Sequence, residues 1–362
     1  MPAFSPAPTA THADIAWPSP ERQASFGHWL ARHAARHGID PGSLAPASAD
    51  ASFRRYFRVQ AAGRSLVVMD APPPQEDVRP FVDIAALTLQ AGLNAPQVLE
   101  ADLENGFLLL TDLGQVPYLQ ALQTAAPEQA DGLMRDALVA LVRFQQRVPA
   151  GRLPVFDDAL LLSELALFPT WCVQREFGLQ WNAKELATWQ RICRLLVGSA
   201  RAQPQVAVHA DWMPRNLMLA TPPAANPGVL DFQDAVCGPI TYDLASLLRD
   251  AFISWDEPQE LDWAVRWWQL ARQEGLPLGD TMAADFGEVW RALEWMGLQR
   301  HLKVMGIFCR LKHRDGKPLY ADDLPRFLGY AQKVALRYGP LKPLLTLLEP
   351  LSGARVAAGF TF

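Results

Sequence analysis

From Pro127 onward the chain is written for helices, and one short stretch breaks that pattern. Leu133, Ala137, Leu138, Leu141 and Phe144 recur at three- and four-residue steps, which places them on one buried helix face. Helical segments follow at about 159–177, 183–200, 242–253, 259–274 and 281–311. The break comes between them, where Gln205–Val208 and Gly228–Leu230 read as short strands around a polar loop. Ahead of Pro127 the order differs. Glu21 to His37 places Phe26, Trp29, Leu30 and Ala34 at helical spacing. Phe53–Val59, Ser65–Asp70 and Gly106–Thr111 read as strands, with a helix from Asp77 to Ala91 between the second and third. The Pro72-Pro73-Pro74 run cannot lie inside that helix and so precedes it. This order predicts an α+β protein of two lobes, a small sheet-rich N-lobe over 21–113 and a larger helical C-lobe over 114–362. A hinge is expected at Thr111-Asp112-Leu113-Gly114. Residues 1–20, with five prolines and no period, read as a flexible arm.

Composition removes several function classes. A formal charge of −5 argues against a general nucleic-acid binder, whose phosphate contacts need a basic face. The four cysteines lie far apart without a CxxC pair, so each is expected to be a buried, reduced thiol. The first twenty residues lack both a basic start and an apolar core, unlike a signal peptide or a spanning helix. The expectation is a cytoplasmic protein, a monomer, with neither a membrane nor a nucleic acid as partner.

The stretch that breaks the helical rhythm carries the chemistry. His209-Ala210-Asp211-Trp212-Met213-Pro214-Arg215-Asn216 is followed by Val229-Leu230-Asp231-Phe232. An Asp, an Asn and a second Asp at these spacings suit phosphoryl transfer, where one Asp accepts a hydroxyl proton and the other two groups hold Mg²⁺ against ATP phosphates. Asp211 is read as the base, and Asn216 and Asp231 as the metal ligands. Mg²⁺ favours such a set, a few protein oxygens with phosphates and water completing the octahedron. His209 is expected to hold the loop. Asp243, at the start of an apolar helix, is expected to anchor it. Asp234 is either a turn residue or a substrate contact.

These residues resemble the aminoglycoside-phosphotransferase-like family, small-molecule kinases that share the protein-kinase fold. Within it, Ser48-Ala49-Asp50-Ala51-Ser52-Phe53-Arg54-Arg55-Tyr56-Phe57-Arg58 and Val68-Met69-Asp70-Ala71-Pro72-Pro73 look like the bacterial anomeric N-acetylmuramate/N-acetylglucosamine kinases. So do Leu298–Phe308 and Arg314-Asp315-Gly316-Lys317. The resemblance spans about residues 21–330. It implies a two-lobe protein-kinase-like fold with ATP and Mg²⁺ between the lobes, and transfer of the γ-phosphate to the C1 hydroxyl of an amino sugar in peptidoglycan recycling. It gives Asp211 the base role and Asn216 and Asp231 the metal roles.

Two departures from the general kinase pattern are informative. No GxGxxG and no GxxxxGK[ST] occurs, so the loop Ala49–Phe53 must admit the phosphates, with Ser52 and Phe53 in contact. The strand Val67-Val68-Met69-Asp70 has no phosphate-binding Lys. Arg54, Arg55 or Arg58 is left to supply the cation, Arg54 and Arg58 on one strand face and Arg55 on the other. Met69 on that strand, and Leu110, Asp112 and Leu113 at the hinge, are expected around the nucleotide.

Substrate clues lie in the helical part. Arg300–Lys317 carries six Lys and Arg against the single Asp315. This disfavours a polycationic antibiotic. Arg300 and Lys303 suit an anionic sugar such as the lactyl carboxylate of N-acetylmuramate, although a solvated helix face gives the same pattern. Trp212 follows the catalytic Asp on a loop expected to be exposed, where it could stack a sugar. Glu164 could bind sugar hydroxyls. Two alternatives remain at this level: an aminoglycoside or choline-type kinase of the same fold, and a nucleotide-binding protein without catalysis.

Overall fold

The computed structural model describes residues 15–49, 53–221 and 224–352. Among them the chain runs α1 (Pro20–His37), β1 (Ile39–Ala49), β2 (Arg55–Ala61), β3 (Arg64–Asp70), α2 (Arg79–Gln90), β4 (Val98–Asp102) and β5 (Phe107–Thr111). Helices α3 (Tyr118–Thr124), α4 (Pro127–Arg147), α5 (Asp158–Leu167) and α6 (Ala183–Ala202) follow, with a π-helical turn at Phe168–Glu176 after α5. Four short strands come next: β6 (Gln205–Val208), β7 (Leu217–Met218), β8 (Gly228–Val229) and β9 (Val236–Pro239). Helices α7 (Tyr242–Leu248), α8 (Glu257–Gln273), α9 (Gly279–Ala284), α10 (Phe286–Asp315), α11 (Leu324–Arg337) and α12 (Leu345–Leu348) complete the order. The chain forms two compact units, Met1–Ala121 with Asn216–Asp234, and Leu122–Arg215 with Ala235–Phe362.

The first unit is built on an antiparallel sheet of order β1-β2-β3-β5-β4. Alternation along the strands sends Phe57, Val59, Leu66, Val68, Phe107 and Leu109 to one face, where they meet Phe26, Trp29 and Leu30 of α1. Ser19 caps α1 by accepting from the Arg22 N–H at 3.2 Å, and Gly38 ends it at φ 65°. Residues 1–14 of the expected arm lie outside the described residues. The part of it that is described is tied down, because Trp17 packs on Phe26 and Phe57 with ring centroids 4.9 and 5.5 Å away. The two sheet edges, β1 and β4, lie outside the segments that read as strands from sequence. In β1, Pro41 and Pro46 interrupt the alternation, and the pairing with β2 shifts register twice. An edge strand tolerates both, since one row of its backbone groups needs no partner strand.

In the second unit α10 is the axis, packed against α5, α6, α7, α11 and the π-helical turn. Asp285 caps it and Gly316 ends it at φ 66°. Where α10 crosses the end of α5, a Cβ on Gly306 would lie 2.5 Å from the carbonyl carbon of Leu167, so only glycine permits the approach. The segment expected as one helix over 159–177 changes winding at Phe168. Pro169 has no N–H to give, and Phe177 donates to the Cys172 carbonyl, a five-residue step. The helix expected over 242–253 stops at Leu248. Beyond it the Asp250 carboxylate takes the N–H groups of Phe252 and Ile253 at 2.7 and 3.0 Å, an alternative to helical bonding.

Candidate active site

The chemistry-bearing residues fall on both units, and each unit's group is built from its own neighbours. In the helical unit, β6 pairs antiparallel with β9, and His209 follows directly at 0 % exposure. The buried Asp243 carboxylate accepts from the backbone N–H of His209 at 2.7 Å and of Ala210 at 3.1 Å. Asp243 lies inside the first turn of α7 and serves this loop, while Thr241 holds the N-cap position of the helix. His209 Nδ1 accepts from the Asp211 N–H at 3.3 Å. Ala210 sits at φ 76°, a left-handed conformation that costs a residue with a Cβ about 1–2 kcal/mol. Such conformations persist where surrounding bonds over-determine them.

Beside this loop Glu164 of α5, Tyr242 of α7, and Arg300 and Lys303 of α10 converge. Lys303 Nζ lies 2.5 Å from Glu164 Oε1 and donates to the Tyr242 hydroxyl at 3.0 Å. Tyr242 donates to Glu164 at 3.2 Å. The Arg300 guanidinium lies 4.7 Å from the Tyr242 ring centroid and donates to the Ala210 carbonyl at 3.1 Å. Burial pulls both cations toward the neutral form. For each, the negative and polar neighbours, Asp211 among them, outweigh that pull and raise it above its ordinary value. Burial pushes the Asp243 carboxyl up to about 7, against the two backbone N–H bonds and the Arg300 charge. Burial, then Glu164, raises the Tyr242 phenol.

One expectation is overturned here. Trp212 is not exposed but fully buried, its ring packed on Phe144 and His209 with centroids 5.8 and 5.4 Å away. The large apolar ring turns into the core of its unit, which removes it as a stacking platform for a sugar. The solvated-face alternative for α10 also fails at Arg300, which is 5 % exposed. Tyr242 is the residue the sequence reading missed. Its one signal is its place immediately before Asp243 in an apolar helix.

In the sheet unit, β7 and β8 form a hairpin that brings together residues fifteen positions apart. Leu217 pairs with Val229 and Met218 with Gly228, and the Leu230 N–H donates to the Asn216 carbonyl at 2.9 Å. Asn216 Nδ2 then reaches Asp231 Oδ2 at 3.2 Å. Gln233 Nε2 donates to the other Asp231 oxygen at 2.8 Å and lies 3.3 Å from Asp234 Oδ2. Asp231 stands at φ 63°, the second left-handed non-glycine residue in this region. Asp234 itself is exposed. Leu113, at the expected hinge, packs on this hairpin and would crowd a Cβ on Gly228 at 3.1 Å.

The arginines of the sheet separate by role. Arg55 pairs with the buried Asp70, which Arg22 also holds at 2.5 Å, and lies 4.5 Å from the Trp17 ring centroid. Arg58 grips Asp112 at 2.5 and 3.1 Å and the Gly114 carbonyl at 2.9 Å, while Ser65 donates to Asp112 at 2.6 Å. Burial would raise Asp112, but the bonds from Arg58 and Ser65 hold it below the ordinary carboxylate range. Arg58 and Asp112 therefore pair with each other through their side chains. Arg54 pairs with Glu76 at 3.0 Å and feels the charge of Asp234. Met69 and Leu110 are buried, Phe53 is 65 % exposed, and Ser52 lies outside the described residues.

A model of the phosphotransferase enzyme family matches residues 43–300. The chain belongs to that family. A Pseudomonas aeruginosa protein named N-acetylmuramate/N-acetylglucosamine kinase is 53 % identical over 313 residues, covering 86 % of this chain and 90 % of that one. A Neisseria meningitidis protein of the same name is 45 % identical over 345 residues, covering 94 % and 100 %. Among solved structures, choline kinase LicA from Streptococcus pneumoniae aligns with a TM-score of 0.59 at 9 % identity, covering 86 % of this chain and 99 % of that one. An ADP-bound aminoglycoside phosphotransferase aligns with a TM-score of 0.54 at 14 % identity, covering 87 % and 99 %. The fold class is thus the α+β, protein-kinase-like one, and the family makes this protein a phosphotransferase.

Proposed function

We propose that the protein is an ATP-dependent kinase that phosphorylates the anomeric C1 hydroxyl of N-acetylmuramate and N-acetylglucosamine in peptidoglycan recycling. The observation that carries the substrate is the name shared by relatives 45–53 % identical over most of both chains. The site supports the reaction type. Asp211 accepts the proton of the sugar hydroxyl as its oxygen attacks the γ-phosphorus of ATP, the bond to the bridging oxygen breaks, and ADP leaves. His209 and Asp243 hold the backbone from which Asp211 projects. Glu164 and Lys303 form a polar pair suited to sugar hydroxyls and to a carboxylate. Arg54 takes the place of the missing lysine, with Glu76 orienting it and Asp234 near it.

The donor set of the hairpin fits Mg²⁺. Among the described residues no three His, Cys, Asp or Glu side chains cluster as a metal cage. Asn216 offers one neutral oxygen and Asp231 a carboxylate, the sparse oxygen set of a cation that keeps phosphate and water ligands. Bound there, the ion would neutralise charge on the phosphates. A cytoplasmic location accords with the amino-sugar substrate. No helix among the described residues is long and apolar enough to cross a membrane.

The test is an ATP-consumption screen across both amino sugars, an aminoglycoside and choline, with product NMR to locate the phosphate. Turnover confined to the amino sugars, with phosphate on C1, is the expected outcome. Preference for the aminoglycoside or choline would sink the substrate reading. Asp211→Asn should lower kcat by at least 10²-fold while leaving ATP binding intact, and normal turnover would sink the base.

A further inference from the structure

Charge alone suits both Arg300 and Lys303 to a sugar carboxylate, but the surroundings of Arg300 differ from those of Lys303. Its residue is 5 % exposed, its guanidinium lies over the fully buried Tyr242 ring, and Nη1 donates to the Ala210 carbonyl at 3.1 Å. Ala210 precedes Asp211 and occupies the left-handed region at φ 76°. Its N–H is fixed by the Asp243 carboxylate and its carbonyl by Arg300, so both polar ends of this strained residue are held by buried charged groups. Lys303, one turn along α10, keeps 18 % side-chain exposure.

We infer that Arg300 is a positioning residue of the phosphoryl transfer: it clamps the Ala210 carbonyl, fixes the left-handed turn that presents Asp211, and makes no contact with the sugar. Recognition of an acidic sugar then falls to Lys303 with Glu164. The inference rests on the reading of Asp211 as the base. Arginine suits the task because its planar group stacks on a ring while keeping in-plane donors. Without the clamp the turn relaxes toward ordinary dihedrals, and a displacement of about 1 Å of a catalytic group costs roughly 10²-fold in rate.

The experiment compares Arg300→Met and Arg300→Lys with the unmodified enzyme, using N-acetylmuramate and N-acetylglucosamine in parallel. Amide hydrogen exchange over 209–213 is followed in the same samples. For Arg300→Met, kcat should fall about 10²-fold on both sugars with either KM changed less than about threefold, the signature of an interaction lost in the transition state. Exchange at Ala210 and Asp211 should quicken. Arg300→Lys, which keeps a donor and a charge, should recover about tenfold of the lost kcat. A KM rise confined to N-acetylmuramate with kcat retained would overturn the proposal, as would unchanged exchange in the loop. Should Arg300→Met fail to fold, Arg300→Lys carries the same two readings against the unmodified enzyme. Asp211→Asn run alongside separates the two failures. Normal turnover there removes the base assignment, whereas the exchange measurement tests the clamp without any activity.

Discussion

Replacing Gly306 by alanine should destabilise the helical unit, although alanine is the better helix former. A Cβ at this position lies 2.5 Å from the Leu167 carbonyl carbon, 2.6 Å from its Cβ and 2.7 Å from its oxygen. Carbon atoms rest comfortably at about 3.5 Å, so α10 and α5 must separate by about 1 Å. The crowded atoms are mostly backbone, and no side chain can swing away to relieve them. An added methyl in such a contact costs about 1–3 kcal/mol, and the intrinsic gain of alanine over glycine returns roughly 1. The net loss should be about 0–2 kcal/mol by these figures, toward the upper end because the crowded atoms are mostly backbone. Gly198, in α6, has no atom within 4 Å of its own Cβ position, so the same substitution there should stabilise by about 0.5–1 kcal/mol. Urea unfolding of both variants, followed by tryptophan fluorescence, measures the opposite signs. The displacement should also reach the site, because Glu164 lies one turn before Leu167 and Lys303 one turn before Gly306. Their 2.5 Å contact would open, and kcat/KM for the sugar should fall. Gly306→Ala at or above the stability of the unmodified protein would refute the account of this crossing.

Two further substitutions probe separate parts of the molecule. Burial, ahead of the charges of Arg249, Arg300 and Arg326, pulls His301 down to about 3, and its ring stacks on Tyr330 at 4.9 Å. A histidine depressed on folding contributes stability above its unfolded value of about 6.5, and that contribution is lost as pH falls toward 3. At about 1.4 kcal/mol per unit, the loss between pH 6.5 and 4.5 is roughly 3 kcal/mol. His301→Phe should flatten that part of the stability profile, and an unchanged slope in denaturant titrations would dismiss it. Arg54→Gln should raise the Kd for ATP about tenfold or more, the value of one charge-assisted contact of about 1.5–3 kcal/mol. Unchanged affinity by calorimetry would return the search for the phosphate cation to the remaining basic groups.

What the sequence disclosed and withheld follows from how each signal is encoded. The helices with a single apolar stripe, α1, α4 and α6, were legible because burial repeats with their own period. The central strands β2, β3 and β5 were legible through their aliphatic runs. Edge strand β1 was not, since proline and glycine there satisfy an edge geometry that composition reads as loop. The division of the arginines was also hidden. Alternation separates Arg55 from Arg58, but nothing local says that Asp112, 54 residues along the chain, will claim Arg58. Trp212 misled for the same reason, as its burial depends on Phe144, more than sixty residues earlier. The convergence of Glu164, Tyr242, Arg300 and Lys303 likewise belongs to three helices meeting, which no single segment announces.

The β7–β8 hairpin belongs to the sheet unit, yet its residues are numbered 216–234, after most of the helices between 122 and 215 have passed. A ribosome must therefore release nearly a hundred residues of the other unit before the first can be completed. Until then Asn94 lacks the hairpin partner that its backbone carbonyl holds through the Val229 N–H at 2.7 Å, and Leu113 lacks Gly228. Sequence-distant closures of this kind slow folding and leave apolar surface waiting. A fragment cut after residue 121 would lack Asn216 and Asp231 altogether, so the sheet unit cannot be prepared as one uninterrupted piece. Severing the gene at that point separates chemistry from architecture, and because segments of the helical unit flank 216–234 on both sides, no circular permutation joins that hairpin directly to the rest of the sheet unit.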